Sequence, residues 1–530
     1  MTISKDFFTR TLLYSTSKPL SWSKMNLRKL AVGLMILVIL AGNIQVIKGE
    51  SDESSASSAG KLVPPLNVTF KAKIDHSEDD DNDFNTIMLF NDKVFFDGDH
   101  ESSVYMIDLN SGKIVWSYEP EAKIIAIQGT PFPWFQVHDN LIIMGVDYTA
   151  PPPSGTHVTW TTGSGAVIAV DMTTKDEVWK FPTKHVPFRL RSVDGTLYFA
   201  ANEEGIYALD VWTGKVKWLY PELPDNMSST GKMGFNDLLL IGDTIYTTTS
   251  GKFLGVDPNT GLGKYNGTLH AIDIYTGKEK FRADTGRPLQ NLVFANNVLY
   301  GHITEWNKVQ NNFNTSLVAF NLSTKHIIWK TLLYPFSYGG MSPAIVTNES
   351  IYVTGNSRRT PGDESITRVY VSTVYALSAS TGKIKWEVEQ NSTREAMVLD
   401  EPYLYVLGDK YFLDQKTSFS EIVAYDTRSG ENVWSYVMNE KEVNSFMRTG
   451  LQCSNGTGRK TIYLAGYENY ELENPVQEGV PYGSEYVIYG FSSSSAEPIP
   501  ELPSTSLILT VSILTLIPIL FRKRWKCDNA

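Results

Sequence analysis

The chain has 530 residues, 42% apolar and 20% charged, which predicts a folded globular protein and excludes wholesale disorder. Its formal charge of −11 is unevenly spread: residues 1–49 carry +6 and residues 505–530 carry +3, leaving −20 on residues 50–504. A middle that acidic repels phosphate backbones, so nucleic acid is excluded as a partner.

Aromatics at 12% and 39 glycines favour strands and tight turns over helices. The two cysteines, Cys453 and Cys527, build neither a disulfide framework nor a cysteine-based metal site. Cys453 reads as a small buried hydrophobe.

Near the start, Arg28 and Lys29 precede an apolar run at residues 30–42. Its length suits a signal-peptide core better than a permanent span of about 20 residues. Residues 1–49 therefore read as a signal region, with Met25 as the more ordinary initiator. The Ser- and acid-rich stretch that follows predicts a disordered linker over 50–65. The acidic run at 78–83 lacks the Gly and terminal Glu of an EF-hand loop and reads as a solvated turn.

From residue 66 to 492 the chain is a repeat array. Seven segments share one pattern: an apolar stretch with a small residue, then Asp, two variable positions, Thr/Ser-Gly-Lys and an aromatic. They end at Trp116, Trp179, Trp218, Phe281, Trp329, Trp386 and Trp434. The Asp place holds Asp108, Asp171, Asp210, Asp273, Asn321, Ser378 and Asp426, each eight positions before its aromatic. Gly112, Gly214, Gly277, Gly382 and Gly430 occupy the turn, and Lys175 and Lys325 replace glycine in two copies. Such a unit is a hairpin whose turn needs positive φ. Two more strand signals precede each hairpin, and four short antiparallel strands make a β-propeller blade. An eighth half-hairpin at 487–491 lacks its outer strand, which residues 67–72 supply. The predicted fold is an all-β, eight-bladed β-propeller of four-stranded antiparallel blades, closed by pairing of N- and C-terminal strands, which removes exposed edges.

The motif Ala-x-Asp-x-x-Thr-Gly-Lys-x-x-Trp resembles the tryptophan-docking repeat of the pyrroloquinoline-quinone (PQQ)-like propeller superfamily. The Ala place holds Ala169, Ala208, Ala271, Ala319, Ala376 and Ala424, with Met106 as the exception. The resemblance implies that each Trp packs between neighbouring blades, so the repeated Trp and Asp residues are structural. It also implies two kinds of function. Quinoprotein dehydrogenases of the superfamily stack PQQ on an adjacent Cys–Cys disulfide above Ca²⁺; this chain has no adjacent cysteines and no Cys-x-x-Cys-His haem site. Other members, the outer-membrane assembly lipoproteins among them, use the fold as a binding platform. A non-enzymatic platform without cofactor is the expectation, and an exported alcohol or sugar dehydrogenase using PQQ and Ca²⁺ is the alternative.

The repeats differ in length at one place. From the second-strand Tyr to the Asp place is 12 residues at Tyr198, but 27 at Tyr246 and 26 at Tyr352. The insertions are therefore expected as loops between second and third strands, all on one face, where binding usually resides. Their aromatic and imidazole residues are the candidate ligand-face set: His157 and Trp160, His302 and Trp306, and Tyr467, Tyr470 and Tyr482. No catalytic residue or metal ligand is assigned, because no His-Glu-x-x-His, Gly-x-Ser-x-Gly or phosphate-cradling motif occurs. Eight Asn-x-Ser/Thr sequons, at Asn67, Asn226, Asn266, Asn314, Asn321, Asn348, Asn391 and Asn455, are candidate glycosylation sites.

Residues 493–505 read as a Ser/Pro-rich stalk, and 506–530 as a membrane segment whose basic cluster at 522–526 stays cytoplasmic. The Pro-Glu-Leu-Pro sequence, short apolar run and basic end resemble archaeal sorting tails of the PEF-CTERM type; Leu502 stands where Phe is usual. An ordinary C-terminal anchor is the other reading. Either places the propeller at the cell surface, on the outer side of the cytoplasmic membrane, facing a surface protein or polysaccharide.

Overall fold

The recurring turn closes by the same bonds along the chain. Asp171 Oδ1 accepts the backbone N–H groups of Thr173 and Thr174 at 2.7 and 3.0 Å, and Asn321 Oδ1 accepts those of Ser323 and Thr324, both at 2.9 Å. The main-chain carbonyl of the Asp-place residue accepts the N–H four positions on at 2.8–2.9 Å, where each turn glycine sits at φ 65–74°. Lys175 and Lys325 adopt the same conformation at φ 63° and 60°, so the bonds are kept at the cost of a left-handed side-chain-bearing residue.

A computed structural model of the chain describes residues 61–493 apart from connecting stretches, the longest being 125–134, 148–164, 222–234, 438–451 and 472–481. Its strands form eight antiparallel sheets, the blades of an eight-bladed β-propeller. Seven sheets have four strands. Blade 2 has a fifth because Lys123–Ile124 and Phe135–His138 both pair with Leu141–Asp147 at its inner edge. Blade 8 is closed as expected: Leu66–Ile74 runs antiparallel to Tyr482–Ser493 as its outer strand.

That strand also brings the eighth docking aromatic. Phe70 lies opposite Gly490, which holds the place of the repeat's Ala, and its ring meets Tyr463 edge-on at 5.8 Å. A Cβ on Gly112, in blade 1's turn, would lie 3.7 Å from the Phe70 ring. The same geometry recurs around the ring. Trp179, Trp218, Trp329 and Trp386 lie so close under the next blade's turn that a Cβ on Gly214, Gly277, Gly382 or Gly430 would stand 2.5–2.7 Å from an indole carbon. Each indole N–H donates to a carbonyl of that turn: Val211, Ile274, Ala379 and Thr427, at 2.8–3.2 Å. Where Lys325 replaces the turn glycine, the docking ring is Phe281 and the ammonium lies 4.6 Å from its centroid. Trp116 precedes the Lys175 turn, and its buried Nε1 has no partner among the described residues.

The folded body reaches further back than the boundary expected at residue 66. Leu62 is 1% exposed, its N–H donates to Asp400 Oδ2 at 2.6 Å, and its carbonyl accepts the Tyr405 hydroxyl. Leu62 and Leu66 belong to the buried cluster against which Trp434 rests. Residues 1–60 and 494–530, which hold the expected signal, stalk and tail, lie outside the described residues, as does the acidic run at 78–83. Among the described residues no helix is long and apolar enough to cross a membrane.

Candidate functional site

Up-and-down strands put the connections between second and third strands, and the blade-to-blade connectors, at one end of every blade. At that end the described parts of five insertions are strand. They lengthen the paired strands themselves: Thr244–Val256 with Gly263–Asp273, Val298–Asn307 with Asn312–Asn321, Ser350–Arg359 with Val369–Ser378, Tyr403–Phe412 with Thr417–Asp426, and Thr461–Glu471 with Tyr482–Ser493. Blade 3 keeps the short form, Thr196–Ala201 with Gly205–Asp210. Backbone pairing satisfies the added N–H and C=O groups and turns each insertion into a hairpin.

The candidate residues separate accordingly. Tyr467, Tyr470 and Tyr482 come together on the blade 8 hairpin, in register with Tyr486, Gly483 and Glu471. Trp306 sits on the blade 5 hairpin opposite Phe313. His302, expected on a loop, is instead within the strand Val298–Asn307 at 5% exposure, paired with Gln290 and Leu317. Burial pushes its imidazole down to about 4, so it is neutral. His157 and Trp160 lie outside the described residues. Of the sequons, Asn67 and Asn348 are exposed and Asn266, Asn314 and Asn321 half-buried, while Asn226, Asn391 and Asn455 lie outside the described residues.

Charged groups that the repeat pattern does not announce lie on and around blades 3 to 5. Pro187–Val193, the inner strand of blade 3, bulges between Phe188 and Arg191 and holds Arg189 at φ 59°. Bulges re-aim side chains. Burial lowers the pKa of both Arg189 and Arg191, the latter to about 10, with Asp237 opposing the shift. Asp237, 2% exposed and just ahead of blade 4's inner strand Leu239–Ile241, stands 3.8 Å from Arg189 Nε. Its two oxygens accept the N–H groups of Leu238 at 2.8 Å and of Leu292, on blade 5, at 2.7 Å. Towards the hairpins, Glu305 takes Arg287 Nε at 3.1 Å and Lys330 Nζ at 3.2 Å. Cations and carboxylates are thus paired in two groups, Arg189 with Asp237, and Arg287 and Lys330 with Glu305. Paired guanidiniums suit a carboxylate, sulfate or phosphate.

Sequence reasoning also missed a buried relay. Thr249 Oγ1 lies 3.1 Å from His270 Nε2, and His270 Nδ1 lies 2.9 Å from Glu279 Oε1. This is the order of groups that activates a hydroxyl nucleophile. It is sealed, however: His270 is 0% and Thr249 1% exposed. The Tyr220 hydroxyl and the Arg282 guanidinium take up the rest of the Glu279 carboxylate. Burial lowers the His270 pKa although Glu279 opposes it. The relay ties Tyr220 of blade 3 to blade 4.

These donors meet the needs of the superfamily's quinone only in part. The arginine pair has the charge to meet PQQ carboxylates, but the metal half is unmatched. Asp237 is committed to two N–H groups and a guanidinium, and among the described residues no group of three His, Cys, Asp or Glu side chains is placed to hold an ion. The described residues do not fit the PQQ–Ca²⁺ pair.

Among solved structures, the chain is similar to BamB from Moraxella catarrhalis (13% identity, 81% of this chain and 100% of that chain, TM-score 0.45). It is also similar to the quinohemoprotein alcohol dehydrogenase ADHIIG from Pseudomonas putida HK5 (11% identity, 82% and 78%, TM-score 0.47). A europium-containing methanol dehydrogenase matches at 14% identity over 81% and 93%, with a TM-score of 0.45. Likenesses at that level carry no argument about activity. No curated protein sequence matches the chain. The repeat itself is matched by a family profile over residues 100–358 and 315–466, more than half of the sequence. With docking aromatics, turn glycines and eight closed blades all in place, the chain belongs to the PQQ-repeat propeller family described as outer membrane protein assembly factor BamB.

Proposed function

We propose that this protein is a non-enzymatic binding platform, exported and held at the cell surface by its C-terminal segment, whose hairpin-bearing face docks a protein or polysaccharide partner. One observation carries the reading: five blades lengthen the same strand pair at the same end, as paired hairpins on a rigid ring. The Arg189–Arg191 pair on blade 3's inner strand is the basic group on the ring that an acidic group of the partner would meet. The exposed Asn67 and Asn348 are the sequons this reading expects to carry glycan.

Trimming the blade 8 hairpin at the Tyr467–Tyr486 pair, so that it matches the short form of blade 3, tests the reading. Cross-linking at the native cell surface should recover a partner with the wild type and lose it with the trimmed protein, whose melting is unchanged. Recovery of the same partners by both would overturn it.

The competing reading, an exported PQQ-dependent dehydrogenase, draws only on the arginine pair Arg189 and Arg191. Dye-coupled alcohol or sugar oxidation after adding PQQ and Ca²⁺ would establish it and remove the platform.

A further inference from the structure

The repeat's tight turns lie at the opposite end of the blades, and there blades 3 and 4 differ from the other described repeats. Two positions past the Asp place the seven repeats carry Asn110, Thr173, Trp212, Tyr275, Ser323, Ser380 and Arg428. Only two adjacent blades present aromatics, and both are in water: Trp212 is 46% and Tyr275 70% exposed. The Asp194–Gly195 turn lies beside Trp212, whose Nε1 would be 3.7 Å from a Cβ on Gly195. His138 meets the Trp212 ring edge-on at 4.8 Å, which holds the indole in place.

On the other side of the same turn a cleft of about 280 Å³ opens at the junction of blades 3 and 4. Asp194, Thr196, Tyr198, Lys217, Trp218 and Tyr275 are among its lining residues. Its deeper part is fixed: the Trp218 N–H and the Tyr198 hydroxyl both donate to the Ile274 carbonyl, at 3.0 and 3.1 Å. Lys217 Nζ is held at 2.8 Å from Thr196 Oγ1 and 3.0 Å from the Gly195 carbonyl. Lys217 Nζ also stands 3.5 Å from Asp210 Oδ2, so the rim offers the Asp194 carboxylate and the Tyr275 ring beside an ammonium already paired.

We propose that this cleft is a saccharide subsite, in which one neutral sugar ring stacks on Tyr275 over the cleft and the next lies across the Asp194–Gly195 turn on Trp212. Three observations favour this class. The volume is below the usual range of drug-sized pockets, about 300–1,000 Å³, and suits a single ring. The Lys217 ammonium is taken up by Thr196, Gly195 and Asp210, which leaves no cation for an anionic ligand and suits an uncharged polyol whose hydroxyls donate to Asp194 while its C–H face covers the aromatic. An extended peptide would need an open backbone edge, but the Gly195 carbonyl already accepts both the Val211 N–H and Lys217. The site is on the face away from the hairpins and stands independently of what they dock.

The test titrates the full-length protein with maltopentaose, cellopentaose, chitopentaose and mannopentaose, followed by tryptophan fluorescence and calorimetry. At least one should bind, and Tyr275→Ala and Trp212→Ala should each weaken it about tenfold. Tyr275→Phe and Trp212→Phe keep the ring and should stay within about threefold, which separates lost stacking from lost folding. The proposal is overturned if none of the four sugars binds, if the alanine variants bind as the wild type does, or if the cleft takes peptides and no sugar.

Discussion

Phe70→Ala probes the closure of the ring at the seam between blades 8 and 1. Phe70 is half-buried, packs edge-on against Tyr463 at 5.8 Å, and lies under the Gly112 turn of the first blade. A fully buried Phe→Ala change costs about 3–5 kcal/mol, so a half-buried ring should cost about 2 kcal/mol. The aromatic contact, about 0.5–1.5 kcal/mol, falls within that figure. Val68, on the same strand and 37% exposed, is the control, and Val68→Ala should change stability by less than about 0.5 kcal/mol. Urea unfolding reads the difference if it is reversible; otherwise the half-life at fixed temperature gives the same order. A Phe70→Ala protein as stable as the Val68→Ala control would refute the claim that Phe70 is the eighth docking aromatic.

Gly430→Ala should destabilise by more than about 2 kcal/mol, because φ is 74° and the new methyl would stand 2.7 Å from the Trp386 ring; thermal melting of the variant checks it. Burial places the folded His302 pKa at about 4, below its ordinary value of 6.5, so the unfolded state binds the proton first. Stability is then full above about pH 6.5 and falls as pH drops towards 4, by at most about 3 kcal/mol; His302→Gln should flatten this limb in denaturation series. On the alkaline side burial raises Tyr198 and Tyr207 to about 12, so their contribution is present below about pH 10 and lost as pH rises through 12. Phenolate absorbance should therefore rise together with unfolding, and free titration of these rings near pH 10 in the folded protein would contradict their burial.

Blade number, strand order and closure were legible because each rests on a local pattern repeated at fixed spacing: Asp, turn glycine, aromatic. What depends on register or on distant partners was not. Phe70 follows no Asp-Gly turn in the chain, so its docking role emerges only when it stands opposite Gly490. Spacing from Tyr246 to Asp273 reveals an insertion, but only the pairing of Thr244–Val256 with Gly263–Asp273 shows that it is a hairpin. His302 looks like a loop residue until that lengthening draws it into a strand. The Arg189–Arg191–Asp237 cluster needs a bulge and three blades, and the Thr249–His270–Glu279 relay needs Tyr220 from a neighbouring blade. Neither carries a spacing signature.

Dye-coupled oxidation of alcohols and sugars by the purified protein, supplied with PQQ and Ca²⁺, bears most directly on whether the propeller is a platform. A non-enzymatic platform gives rates equal to those of the cofactor alone. Saturable oxidation that depends on the protein, and that Arg189→Ala or Arg191→Ala abolishes, would contradict it.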